Sequence, residues 1–248
     1  YATSIAMLIV ALAAPFLGVF GDIRGMRKKL FSFFMLLGVA ACAGMAFTPG
    51  MDFTSGPVAA GKVATLILVL YIVSVIGFDA SAIYYDAFLT DVTTEDRMDK
   101  VSTMGYGLGY IGGSTIPLLI FLIMNLVGVP MLTCLAFVFG LTAVWWLAFS
   151  LPLLKNCEQT SGKPYEKGDV ARSIKGVGTT IKEIIANKPM LIYILSYFFY
   201  IDGVHTVISM ATTYGTNLGL DSTGMMLALL LVQILGLPFC LLYIKCSE

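Results

Sequence analysis

Asp202 and His205 are the residues whose types and spacing most directly suggest chemistry. They stand three apart, so on a helix they are neighbours on one face. From Pro189 to Thr213 they are the only ionisable acid and base in an otherwise apolar and hydroxyl-bearing stretch. A carboxylate and an imidazole in a low-dielectric setting can share a proton near neutral pH, or hold the ammonium and carboxylate of a solute. Pro189 to Asp202 is 13 residues, about 20 Å of helix, which sets the carboxylate near mid-depth of a membrane span. Thr206, Ser209 and Thr213 continue that stripe, and Tyr193, Tyr197 and Tyr200 form another on roughly the opposite face. The structural alternative is a buried ion pair that orients one helix against another. Asp79 and Asp86 are seven apart and also share a helical face. Asp79 is deep enough to line a central cavity, whereas Asp86 nears the end of its apolar run.

A second set of charges gathers between apolar runs. Gly18-Val19-Phe20-Gly21-Asp22-Ile23-Arg24-Gly25-Met26-Arg27-Lys28-Lys29-Leu30 places one acid among four bases. Gly18 and Gly25 permit close packing and a tight reversal. Asp22 can accept charge-assisted bonds from a neighbouring helix end or cap the next helix. Such a cluster can latch helices in one conformation and release them in another. Asp86 and Asp91 are the acids expected to pair with Arg24 or Arg27, and Arg97 lies in the same connection. The alternative is an ordinary basic loop.

These groups must be positioned by membrane helices. The chain has 248 residues, 58% hydrophobic and 12% charged, with equal numbers of acids and bases, and its mean hydropathy is +0.89. Soluble domains carry about 25% charged residues, so this composition excludes a soluble enzyme, a nucleic-acid binder and a disordered chain. Charge-free runs cover Tyr1 to Gly21, Leu30 to Met51, and Val63 to Phe78 with continuation to about Leu89. Val101 to Leu154 contains no charge over 54 residues and divides at Gly128-Val129-Pro130 into two spans. Pro189 to Thr213 and Ser222 to Ile244 complete seven. A helix crosses the hydrocarbon with about 20 apolar residues and satisfies its own backbone, so an all-α polytopic membrane protein is predicted. Of the 15 Lys and Arg residues, all but Lys62 fall in loops on one side, which is therefore cytoplasmic.

The spans divide into an amino-terminal bundle of five (1–152), a linker (153–188) and two carboxy-terminal spans (189–248). Asn156 to Gly168 is rich in turn formers and charges and reads as flexible. Val170, Ile174, Val177, Ile181 and Ile184 then recur at helical spacing with Arg172, Lys175, Lys182 and Glu183 elsewhere, the pattern of a basic amphipathic helix on the membrane face. Gly105, Gly109 and Gly113, at i, i+4 and i+8, predict a flat face for close helix packing. Cys42, Cys134, Cys157, Cys240 and Cys246 form no metal or disulfide pattern.

The 18–30 stretch resembles the signature of the major facilitator superfamily, G-x-L-A-D-R-x-G-R-K-x-x-L. Gly18, Asp22, Gly25, Arg27 and Leu30 match its spacing, while Phe20, Gly21, Ile23 and Met26 depart from it. Tyr84-Tyr85-Asp86-Ala87-Phe88-Leu89-Thr90-Asp91, Glu95-Asp96-Arg97, the run Gly105 to Gly113, and Phe198 to Thr206 are similar to one branch of that superfamily. That branch holds the autophagy-related vacuolar amino-acid effluxers and their bacterial relatives. The G-P-x-x-G-G of many superfamily antiporters is not matched, because Tyr110 follows Gly109. The resemblance implies helices two to eight of a twelve-helix bundle, the segment 153–188 being the central linker.

The resemblance implies a secondary carrier for a small organic solute, amino acids first, working by alternating access between two halves. The ionisable residues within spans permit proton coupling. The expected surroundings are the lipid bilayer, a plasma membrane in a bacterium or a vacuolar membrane in a fungus. A monomer without cofactor, metal or nucleic-acid partner is expected. No nucleotide-binding G-x-x-x-x-G-K-[ST] occurs. Two other readings compete. Asp86, Asp91, Asp96 and Asp99 could bind Mg²⁺ and a diphosphate in a membrane enzyme, although Arg97 and Lys100 interrupt them. The second is a seven-helix receptor.

Overall fold

The structure is a computed structural model and describes residues 2–51, 56–162, 164 and 169–247. The described residues form helices and no strand. In chain order these are α1 (Ala2–Gly21), α2 (Arg27–Phe47), α3 (Pro57–Ala87), the short α4 (Leu89–Val92), α5 (Met98–Gly109), α6 (Ile116–Leu126), α7 (Met131–Asn156), α8 (Asp169–Ala186), α9 (Lys188–Asn217) and α10 (Ser222–Ser247). α5 runs into α6 through a π-helical turn, Tyr110–Thr115. Seven segments are long and apolar enough to cross a membrane, as the uncharged runs predict. The chain is a multi-pass all-α membrane protein.

Local sequence explains the helix boundaries. Pro57 opens α3 after Gly56, whose φ of 117° suits glycine alone. Gly128, at φ 85°, turns the chain ahead of Pro130 and α7. The Asn187 side chain accepts from the Met190 amide at 3.2 Å and caps α9. α7 continues through Pro152 to Asn156, so the linker begins four residues later than the sequence boundary at 153. α8 occupies the predicted amphipathic stretch.

The chain divides into two compact units, Tyr1–Tyr165 with Gln233–Glu248, and Glu166–Val232. In the first unit α2 is the central helix. Phe31, Met35 and Tyr84 are buried together, with Leu17, Phe34 and Trp146 packed around them. Cys42, Met45 and Ala143 form a second buried group against Leu70, Tyr71 and Phe139. The Tyr84 hydroxyl donates to the Leu17 carbonyl at 3.1 Å, which ties α3 to α1. The outward faces of the helices remain apolar, as a hydrocarbon solvent allows.

Two glycines allow α2 and α3 to meet. A Cβ on Gly77 would lie 2.6 Å from both the Cα and N of Gly38, and one on Gly38 would lie 2.3 Å from the Trp146 ring. The stripe of Gly105, Gly109 and Gly113 is not where α5 packs within the first unit. A Cβ on any of those three meets nothing within 4 Å among the described residues. On α5 the close approach falls instead at Gly107, whose Cβ would be 3.0 Å from Leu237 and 3.1 Å from Cys240. Spacing identifies a smooth stripe, but the neighbour here sits on the other side of the helix. The π turn has its own support: the Trp145 Nε1–H donates to the Gly112 carbonyl at 2.6 Å, and the Thr115 hydroxyl to that of Tyr110 at 2.7 Å. π turns shift the backbone ladder and leave carbonyls to be satisfied otherwise.

Gly77→Ala should therefore destabilise the detergent-solubilised protein by about 1–3 kcal/mol, because the new methyl meets backbone that cannot rotate away. Gly105→Ala should leave the thermal midpoint unchanged or raise it, since alanine favours helix by about 1 kcal/mol over glycine. Thermal unfolding of the two variants against the parent checks both.

Candidate functional site

The site is built at one end of the first unit. α1 stops at Gly21, and the chain reverses through 22–26 with Gly25 at φ 79°. Backbone bonds from Asp22 N to Gly18 O (3.1 Å) and from Met26 N to Ile23 O (3.0 Å) shape that reversal. α2 then starts with Arg27, whose side chain is directed inward and is only 6% exposed. A basic residue at the first turn of a helix opposes the helix dipole, so its burial needs strong compensation.

Asp91 on α4 supplies the opposite charge. Its side chain is fully shielded, and its Oδ2 accepts a short charge-assisted bond from Arg27 Nη1. The same nitrogen lies 2.9 Å from the Ala87 carbonyl and 3.2 Å from the Ser161 hydroxyl, so its two protons serve three acceptors. The guanidinium carbon stands 5.7 Å from the centre of the Phe88 ring, within cation–π range. Among the described residues Arg27 Nε is buried without a partner.

The other carboxylate oxygen is held by the segment after α7. Asp91 Oδ1 accepts from the Thr160 amide (3.1 Å), the Thr160 hydroxyl (2.9 Å) and the Ser161 amide (2.8 Å). Gln159 Oε1 accepts from the amides of Gly25 (2.8 Å) and Arg27 (3.2 Å), while its Nε2 donates to the Gly21 carbonyl at 3.1 Å. Lys28 Nζ donates to the Cys157 carbonyl at 3.0 Å. Connections 22–26, 88–91 and 157–162 thus meet at one end, the arrangement expected if their basic residues share a compartment.

Of the latch residues expected from sequence, the structure brings together Arg27 and Asp91, with Gly25 and Gly18 shaping the reversal. Asp22, Arg24, Asp86 and Arg97 are exposed, and no ion pair holds them among the described residues. Of the four pairings expected between Asp86 or Asp91 and Arg24 or Arg27, the structure shows Asp91 with Arg27, and Asp22 is exposed at the reversal. Lys28, Phe88, Gln159, Thr160 and Ser161 were missed. Turn-rich composition made 156–168 read as flexible, and no short-range signal links Gln159 to a turn more than 130 residues earlier.

The substrate candidates lie elsewhere. Asp79 is half-buried in α3 of the first unit, and Tyr200, Asp202 and His205 are exposed on α9 of the second. No hydrogen bond or ion pair joins Asp202 to His205 among the described residues. Beside His205, the residues Thr206, Met210, Thr213 and Tyr214 line a shallow depression. Asp86, Asp91, Asp96 and Asp99 do not converge: no group of three or more potential metal ligands occurs among the described residues, and Asp91 is already engaged by Arg27.

Comparison with known proteins agrees with this architecture. The family model described as "Vacuole effluxer Atg22 like" matches residues 1–97 and 90–244. An uncharacterized MFS-type transporter, YxiO of Bacillus subtilis (strain 168), is 39% identical over the whole of this chain and 56% of its own length. Autophagy-related protein 22-1 of Penicillium rubens is 26% identical over 55% of this chain and 25% of its own length. The protein of the same name from Sclerotinia sclerotiorum is 26% identical over 46% of this chain. The chain thus spans about half the length, or less, of the curated relatives it matches. No solved structure gives a significant match. The helical bundle, the signature-bearing reversal at 18–30 and these matches together place the chain in the vacuole effluxer Atg22-like family of the major facilitator superfamily.

Proposed function

We propose that the protein is a secondary carrier that moves a small organic solute, an amino acid in the first instance, by alternating access. The observation that carries this reading is the buried Arg27–Asp91 pair in a family of transporters. A shielded ion pair between the start of α2 and α4 stabilises one arrangement of the helix ends and is lost in another. That is the behaviour required of a conformational latch. Removing one partner of such a pair costs about 3–5 kcal/mol, because the other charge stays buried and uncompensated.

Asp202 and His205 are assigned to solute or proton binding, with Asp79 and Tyr200 as further candidates. Ionisable groups in the middle of a 30-residue helix are costly against hydrocarbon and by default face a polar cavity. Their mutual spacing suits a zwitterionic solute or a relayed proton. The amino-acid assignment follows from the family resemblance of the 84–113 and 198–206 stretches. The protein acts as a monomer with its solute and, through Asp202 and His205, with protons.

The full-length protein in liposomes, screened with amino acids and other small solutes with and without a pH gradient, should show solute accumulation. Its absence under every condition would overturn the carrier reading. Asp202→Asn should abolish that flux while the thermal midpoint moves by less than about 3 °C, under ~1 kcal/mol. If melting collapses with flux, Asp202 is structural.

Asp91→Asn should slow flux by at least about tenfold and lower the thermal midpoint, since the loss of the pair biases the conformational equilibrium by more than 1.4 kcal/mol. Arg24→Gln, at an exposed position outside the pair, should change neither. Initial rates of solute exchange and thermal unfolding of the two variants provide the check.

A further inference from the structure

We propose that Gln159–Gly162 is a strap that controls release of the latch, and that Gln159 is its positioning residue. The inference rests on the latch reading above and adds a moving part outside the signature motif.

α2 has no side-chain cap of its own, because Met26 occupies the capping position. The first amides of a helix are unsatisfied unless something outside the helix accepts from them. Gln159 does this from the other end of the first unit's sequence. One oxygen accepts from both Gly25 and Arg27, and the amide nitrogen of the same side chain returns a bond to Gly21. A single side chain thereby closes both sides of the reversal that aims Arg27 at Asp91.

The next three residues are matched to their positions as closely. Thr160 and Ser161 direct two amides and one hydroxyl at Asp91 Oδ1, and the Ser161 hydroxyl also faces Arg27. Gly162 has φ +114°, and a Cβ there would lie 2.8 Å from the Asp22 carbonyl oxygen. A side chain at 162 would therefore lift the segment off the reversal. With the strap seated, Asp91 accepts from four donors and α2 is capped. With it lifted, the carboxylate keeps Arg27 alone, and the amides of Gly25 and Arg27 lose their acceptor.

The strap lies near the end of the first of the two stretches, Tyr1–Tyr165 and Gln233–Glu248, that make up the first unit. Lifting the strap removes three of the four donors to Asp91, after which the ion pair can part.

The test uses the full-length protein in nanodiscs, without solute. Hydrogen exchange is followed in peptides covering 21–27 and 158–162, and maleimide labelling is followed at Cys157, a half-buried thiol beside the strap, against exposed Cys246. Gln159→Ala and Gly162→Val should each speed exchange in 21–27 and labelling of Cys157 by about tenfold. Gln159→Glu keeps the accepting oxygen and should retain most of the protection. Glu158→Ala, at an exposed neighbour, should match the parent. In the parent the two peptides should open together, and this reading survives even if a variant fails to fold. Free exchange of 158–162 while 21–27 stays protected, or unchanged exchange in Gln159→Ala and Gly162→Val, would overturn the strap. These readouts need no solute. Failure to find transport would remove the carrier reading and leave the strap standing, and intact transport with unprotected amides would do the reverse.

Discussion

A guanidinium withdrawn from water must be surrounded by acceptors, and that requirement organises one end of this bundle. Arg27 is 6% exposed at the start of α2. Its position at a helix amino terminus is electrostatically unfavourable, so the surrounding chain has to compensate. Asp91, the Ala87 carbonyl, the Ser161 hydroxyl and the Phe88 ring do so from two separate connections. Buried ion pairs hold together only when the remaining lone pairs and protons are also satisfied. The polar segment 157–162 is therefore part of the charge site, and its backbone is shaped by what Asp91 and the uncapped end of α2 require.

The scaffold beneath that site follows from a different constraint. In hydrocarbon there is little to gain from burying one apolar side chain against another, and close backbone approach becomes the source of helix–helix attraction. α2 and α3 meet this condition where Gly38 and Gly77 face each other and Trp146 closes over the contact. The contact sits between the two buried groups of the first unit, around Phe31, Met35 and Tyr84 on one side and Cys42, Met45 and Ala143 on the other. Rigid packing there leaves the ends of α2 and α3 as defined anchor points. The latch proposed at those ends requires two discrete states, which bodies that do not bend to a partial opening would provide.

Composition and charge spacing make the spans, the shared side of the basic loops and the family signature readable from the chain alone. Hydrophobic length is a local property, and each helix in lipid satisfies its own backbone. The signature at 18–30 is also local, and it names Gly25 and Arg27 as the turn and the charge of a latch. The stripe Gly105, Gly109 and Gly113 shows the limit of such reasoning. Periodicity says that a face is smooth, but only the neighbouring helix decides which face is used, and here Gly107 and Gly236 take the close contacts with Cys240 and Tyr110.

What the sequence by itself determined is thus the solvent and the number of membrane spans, since both depend on runs of residues that need no distant partner. Tertiary structure alone decided which of the expected partners meet, Asp91 with Arg27 and not Asp86 or Arg24, and that Gln159, Thr160 and Ser161 complete the site. Those bonds join residues between about 60 and 135 positions apart. Their existence depends on where α1, α3 and α7 end in space, and the geometry of packed helices sets those end points, which no local pattern in the chain encodes.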